Sequence, residues 1–218
     1  MKTSRFADRA EAARKLAQRL AQMRLEAPIV VLALPRGGVP IAAEVARVLH
    51  ARLDLLLVRK IGAPWQRELA VAAVVDGDRP EVVIDEAMLG MPGVDQEYIE
   101  TQSHRELQEI ARRRALYMAG RAPLALGGAT AIVVDDGIAT GTTVRAALRA
   151  LRRKGPKRLV LAVPVAPADT CRNLRAEVDD LVCLSQPDPF HAIGLHYDDF
   201  HQLGDEEVLK ILADADRR

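Results

Sequence analysis

Two stretches of the chain share one plan. "PIVVLALPRGGVPIAAEVARVL" and "ATAIVVDDGIATGTTVRAAL" each pass from a continuous apolar run, through a glycine-rich turn, into residues at helical spacing. A short apolar run with no polar alternation is the pattern of a strand buried on both faces of a parallel sheet. Parallel neighbours need a crossover connection, so strand, helix and strand in succession imply right-handed βαβ units. The expected fold class is therefore α/β: an open, mainly parallel, Rossmann-like sheet flanked by helices. A (β/α)8 barrel normally needs more strand units than 218 residues supply.

The rest of the chain fits that frame. Phe6, Ala10, Ala13, Leu16, Ala17, Leu20 and Met23 recur at helical spacing, so a helix is expected over 4–24, with Asp8 and Glu11 as its capping box. Strands are expected at 28–34, 53–60, 130–134, 158–163 and 181–184, and helices at 39–49, 142–154 and 168–175. Turn dipeptides Asp76-Gly77 and Arg79-Pro80 between short β-like runs point to a hairpin outside the main sheet. A charged helix follows over 95–119, with Tyr98, Ile99, Leu107, Ile110, Ala111 and Leu116 as its apolar positions. One domain is expected over 1–218, with a core at 28–185, an insertion at about 62–120 and a C-terminal segment from 186 onward.

Charge narrows the function. With 31 basic against 30 acidic side chains, the net charge of +1 gives no general field for nucleic acid or an anionic membrane, so a binding site must be local. Basic stripes at Arg112, Arg113 and Arg114, and at Arg149, Arg152, Arg153 and Lys154, could serve an RNA- or DNA-binding regulator, although solvated helix faces are commoner. Cys171 and Cys183 lack metal-type spacing and are too few for a disulfide framework. No apolar run approaches membrane-spanning length and "MKTSRFADRAEAARKL" is charged throughout, so a cytoplasmic protein is expected.

Asp135 and Asp136 are the anomaly. Two adjacent carboxylates closing a buried strand repel one another and are expensive to desolvate, which suggests a ligand beyond the strand end. In open α/β sheets, ligands bind there. The turn "GIATGTT" opens a helix, so its free N–H groups and the hydroxyls of Thr140, Thr142 and Thr143 can converge on a phosphate, while the acids accept hydrogen bonds from sugar hydroxyls. The loop has neither the Gly-Lys-Ser/Thr of nucleotide triphosphatases nor a dinucleotide G-x-G-x-x-G.

"VVDDGIATGTT" resembles the signature of the type I phosphoribosyltransferases: a hydrophobic strand, two acids and a threonine-glycine phosphate loop. The resemblance spans roughly residues 29–200, with Gly137 where that family more often has an aliphatic residue. It implies transfer of the phosphoribosyl group of 5-phosphoribosyl 1-diphosphate (PRPP) to a nitrogen of a nucleobase-like acceptor, with Mg2+ carried mainly by PRPP itself rather than by protein ligands. Asp135 and Asp136 would then meet the ribose hydroxyls, and Ala139, Thr140, Gly141, Thr142 and Thr143 the 5′-phosphate. The loop holding Arg36, Gly37 and Gly38 would receive the diphosphate, often over a non-proline cis peptide. Taken alone, "PRGG" is equally an ordinary strand-to-helix turn.

Arg59 and Lys60, expected at the end of the second strand, can neutralise the diphosphate or be a solvated basic pair. Residues 62–68 correspond to the family's mobile loop, with Trp65 expected in the core. The segment 186–218 corresponds to the family's hood over the base, and Phe190 is the expected stacking ring. Tyr197 and Phe200 read equally well as a cluster capping the sheet edge. Ala139 stands where hypoxanthine-guanine enzymes place an acid, so the acceptor is left open. The expected partners are these small molecules and, in a homodimer, a second copy, with no nucleic acid or membrane. A PRPP- or nucleotide-sensing regulator without turnover is the alternative.

Overall fold

A computed structural model describes residues 5–76, 80–118 and 124–217. The apolar runs form β1 (Ile29–Ala33), β2 (Arg52–Leu55), β6 (Thr130–Val134), β7 (Arg158–Val165) and β8 (Asp180–Ser185). All pair in parallel in the order β2-β1-β6-β7-β8. Alternate residues feed opposite faces. Val31, Ala33, Ile132, Val134, Val160 and Ala162 pack under α1 (Arg9–Ala21) and α2 (Gly38–Val48). Val30, Leu32, Ala131, Val133, Leu159 and Leu161 pack under α4 (Thr142–Arg153) and α5 (Ala168–Leu174). Burial on both faces explains the absence of polar alternation in these strands.

The order reverses between β1 and β6, since the chain runs outward from β1 to β2 and the opposite way from β6 to β7 and β8. The loops after β1 and β6 therefore meet at one crevice, the place where such sheets bind ligands. Leu34 N–H donates to the Val134 carbonyl at 2.9 Å, which stitches the two loop bases together.

The strand expected over 53–60 is two strands in two sheets. β2 stops at Leu55, and Val58 opens β3 (Val58–Ala63), which with β4 (Gln66–Val75) and β5 (Glu81–Ile84) forms an antiparallel three-stranded sheet. Leu55, Leu56 and Leu57 are all buried, so the sequence stays apolar while the backbone changes sheet. Residues 62–68 are accordingly not a free loop but the turn and flanks of the β3–β4 hairpin, with Trp65 at its tip, 49% exposed rather than in the core. The turn expected from Asp76-Gly77 and Arg79-Pro80 lies at residues 77–79, outside the described residues. α3 (Gln96–Met118) then packs on this flap, with Ile99 and Ile110 buried and Ala111 exposed.

Two ends differ from expectation. Asp8, not residue 4, starts α1, accepting from the Glu11 N–H at 2.7 Å while Glu11 accepts from the Ala7 N–H at 2.6 Å. The buried face takes Arg9 and leaves Ala10 exposed. At the other end, α6 (Asp205–Asp216) leaves the hood and packs on α2 and α3. Cys171 is buried and Cys183 half-buried, both as free thiols.

Gly38 permits the closest approach of the two loops, because a Cβ there would lie 2.6 Å from the Val134 carbonyl oxygen and 3.0 Å from the Asp135 Cα. Both are backbone atoms at the end of the central strand and cannot swing aside. Gly38→Ala is expected to destabilise the protein by about 1–3 kcal/mol. Gly127→Ala, where nothing lies within 4 Å, should change stability by less than about 0.5 kcal/mol. Urea denaturation of both variants checks the contrast.

Candidate active site

The site grows from the carboxyl ends of β1 and β6. After β1, the Pro35–Arg36 peptide is cis, and Gly37 caps α2. A Cβ on Gly37 would sit 2.0 Å from Asp136 Oδ2, so the acid occupies the volume that the missing side chain leaves. After β6, Gly141 precedes α4 at φ +76°, a conformation that favours glycine. The turn is pinned from outside by Thr170, whose hydroxyl donates to the Ala139 carbonyl at 2.7 Å. Thr140 and Thr142 stay exposed at the α4 N-terminus. Free N–H groups and hydroxyls thus converge there, as anion binding requires.

The two acids have different surroundings. Asp136 turns inward and receives Arg9 Nε at 2.9 Å, with both side chains only 10% exposed. Arg9 Nη1 donates to the His201 carbonyl at 2.8 Å, and its guanidinium lies 3.8 Å above the Phe200 ring. Tyr197 completes the cage, its hydroxyl donating to the Asp136 carbonyl at 2.5 Å. Asp135 keeps part of its surface at the crevice and accepts the Asp136 N–H at 2.8 Å. Burial, and next the charge of Asp136, push its carboxyl well above the ordinary value. Burial also raises Asp136, against the charge and hydrogen bond of Arg9.

Asp135 borders a cavity of about 240 Å³ with Pro35, Arg59, Ile110, Arg113 and Thr143. A second cavity of about 710 Å³ shares Val58, Arg59 and Thr143 with it and extends under the flap past Lys60, Arg67, Tyr98 and Arg105. Lys60 also borders a small cavity beside Thr142 and Thr143. A larger cavity, about 1150 Å³, lies elsewhere, at the amino end of β2 among Ala10, Ala13, Pro40, Ala43 and Arg52; none of the loops after β1 and β6 reaches it.

Arg59 and Lys60 project from the flap strand β3 rather than from the end of a core strand, and Arg59 Nε donates to Glu106 of α3 at 2.6 Å. Arg36 pairs with Asp205 at the start of α6 at 3.6 Å, beside the Tyr117 hydroxyl that donates to the same acid. Phe190 stacks on His196 with ring centroids 5.0 Å apart, while Tyr197 and Phe200 brace Asp136 and Arg9. Sequence reading gave no site role to Arg9, Arg105 or Arg113. Arg9 alone carried a signal, a charge on the face that helical periodicity marks for burial.

This sheet, its switch-point crevice and its paired loops define the type I phosphoribosyltransferase fold. The chain belongs to the phosphoribosyl transferase domain family, whose model matches residues 4–199. It is 44% identical over 212 residues to "Putative phosphoribosyl transferase Rv0571c" of Mycobacterium tuberculosis H37Rv, and equally to the MT0597 protein of strain CDC 1551. That match covers 97% of this chain and 47% of each relative, so the chain spans about half the length of the curated relatives it matches. The crystal structure of TT1426 from Thermus thermophilus superposes with a TM-score of 0.85 at 43% identity, covering 96% of this chain and 98% of that one.

The divided surroundings give opposite expectations for the two acids. A carboxyl whose pKa is raised on folding contributes stability below its unfolded value and loses it as pH rises through the folded value. Asp135→Asn should therefore raise the melting temperature at neutral pH, with the gain vanishing below the ordinary aspartate pKa. Asp136→Asn leaves Arg9 a buried charge without its counter-ion and should cost about 3–5 kcal/mol. Calorimetric melts of both variants across acid to neutral pH test the division.

Proposed function

We propose that this domain transfers the phosphoribosyl group of PRPP to a ring nitrogen of a nucleobase-like acceptor and releases diphosphate. The observation that carries the reading is the adjacency, at one switch point, of an open, hydroxyl-rich helix N-terminus and an acidic residue, Asp135, that borders the crevice. The 5′-phosphate would take the N–H groups and hydroxyls of the 139–143 turn. Asp135 would accept hydrogen bonds from the ribose hydroxyls, and Asp136, caged by Arg9 and Tyr197, would fix the backbone that carries it. Asp136 is in this reading a positioning residue.

In the reaction, the acceptor nitrogen forms a bond to ribose C1 as the bond from C1 to the diphosphate oxygen breaks. The leaving group departs with the electron pair, and the acceptor's proton passes to water. Positive charge grows on the ribose and negative charge on the diphosphate, as in other glycosyl transfers. The loop of Arg36, Gly37 and Gly38, with Arg59 and Lys60, would stabilise that negative charge. Among the described residues no group of three or more His, Cys, Asp or Glu side chains could hold a metal ion. In this reading Mg2+ would arrive on PRPP oxygens, with Asp135 as a nearby hard oxygen. Bound there, the metal would neutralise leaving-group charge.

Phe190 is the proposed stacking ring, with His196 supporting its other face. Among the described residues no helix is long and apolar enough to cross a membrane.

Diphosphate release from PRPP, measured against a panel of free purine, pyrimidine and pyridine bases, tests the activity. Turnover with at least one base is expected; PRPP binding with no turnover for any base would instead mark a sensor. For the base that reacts, Phe190→Ala should raise KM by about 1–3 kcal/mol equivalent, as for other base–aromatic stacks, with PRPP affinity unchanged.

A further inference from the structure

Arg112, Arg113 and Arg114 are consecutive on α3 yet have three different fates. Arg114 turns inward and donates from Nε to the buried Asp76 at 2.6 Å, tying α3 to the end of β4. Arg112 is the most exposed and forks onto Glu109 through Nε at 2.8 Å and Nη2 at 2.9 Å. Arg113 shares Glu109 through Nε at 2.7 Å, but its side chain borders the crevice, one turn beyond Ile110 and in the same cavity as Pro35, Arg59, Asp135 and Thr143.

Arg59 repeats the arrangement from the facing strand. Its Nε donates to Glu106, one helical turn before Glu109. Each guanidinium is thus held at Nε by a glutamate of α3, and no terminal nitrogen of Arg59 or Arg113 has a hydrogen-bond partner among the described residues. Planar guanidinium forks held in this manner suit bidentate contact with phosphate oxygens. Meanwhile Arg36, the cation that the loop after β1 would offer, is engaged by Asp205.

We propose that Arg113 is a diphosphate-binding residue, which with Arg59 grips the leaving group from the flap and α3 side of the crevice. This rests on the PRPP reading above and assigns the charge on the leaving-group side to α3, an element outside the parallel sheet. Ribose and 5′-phosphate meet the Asp135 and Thr143 side of the same cavity, so the two ends of PRPP would be held by different elements. Loss of Arg113 leaves Glu109 satisfied by Arg112, which is the larger influence holding that carboxyl at about 2. Its removal therefore tests binding rather than folding.

Titration calorimetry with inorganic diphosphate plus Mg2+, and separately with ribose 5-phosphate, provides the test. Arg113→Gln should weaken diphosphate binding roughly ten- to a hundredfold, the range for hydrogen bonds to charged groups, and leave ribose 5-phosphate binding within about twofold. Arg112→Gln, which loses a partner of the same glutamate without bordering the crevice, should alter neither. Equal behaviour of the two variants toward diphosphate would overturn the assignment, and so would parallel loss of both ligands in Arg113→Gln. If the wild-type protein bound neither ligand, the PRPP reading itself would fall and Arg113 with it; binding of ribose 5-phosphate without diphosphate would overturn the Arg113 assignment alone.

Discussion

The buried ion pair between Arg9 and Asp136 is the constraint around which the crevice is organised. Removing two charges from water is costly unless each finds a close partner and its remaining hydrogen bonds are met. Here Arg9 meets a carboxylate, a carbonyl and an aromatic face. To deliver it, the segment before α1 is strapped to the hood: Phe6 exchanges backbone hydrogen bonds with His196 and Asp198, and its ring lies 5.5 Å from that of Tyr197. The first helix, the strand-end acid and the hood are consequently one mechanical unit. Gly37 belongs to it as well, because only a residue without Cβ leaves room for the Asp136 carboxylate.

That arrangement separates two carboxylates that their adjacency would otherwise make equivalent. Asp136 has a permanent counter-charge; Asp135 borders the crevice and makes no ion pair among the described residues. Cations instead stand across the gap, on the flap and on α3, where Arg59 and Arg113 are tethered by glutamates one turn apart. In the proposed function, Asp135 and the hydroxyls of the 139–143 turn would meet the ribose and its 5′-phosphate, and the arginines bordering the same cavity would meet the diphosphate.

Gly137 shows how a local departure from the family pattern is absorbed. A Cβ at this position would lie 2.6 Å from Ile193 Cγ2 and 3.0 Å from Val165 Cγ1. Ile193 of the hood therefore fills, from far along the chain, the space that an aliphatic residue in the motif would occupy. Together with the Tyr197 hydroxyl on the Asp136 carbonyl, this contact fixes the hood to the strand end beneath it.

The sequence by itself determined the parallel sheet, because strands covered on both faces must be apolar throughout, and it singled out residues 130–143, because two adjacent acids at the end of a buried strand are costly unless a partner meets them. Local signals also placed the ends of α4, where Gly155 terminates the helix at φ +68°. Tertiary structure alone decided where the chain leaves the sheet within Leu55, Leu56 and Leu57, since burial under a second sheet looks the same as burial in the first. It alone decided that Asp136 belongs to Arg9, 127 residues earlier, and that of the three consecutive arginines on α3 Arg113 is the one that borders the cavity beside Asp135. Periodicity tells which side of an element is buried. What that side meets depends on how distant elements pack, and the electrostatics of the crevice are set by those meetings.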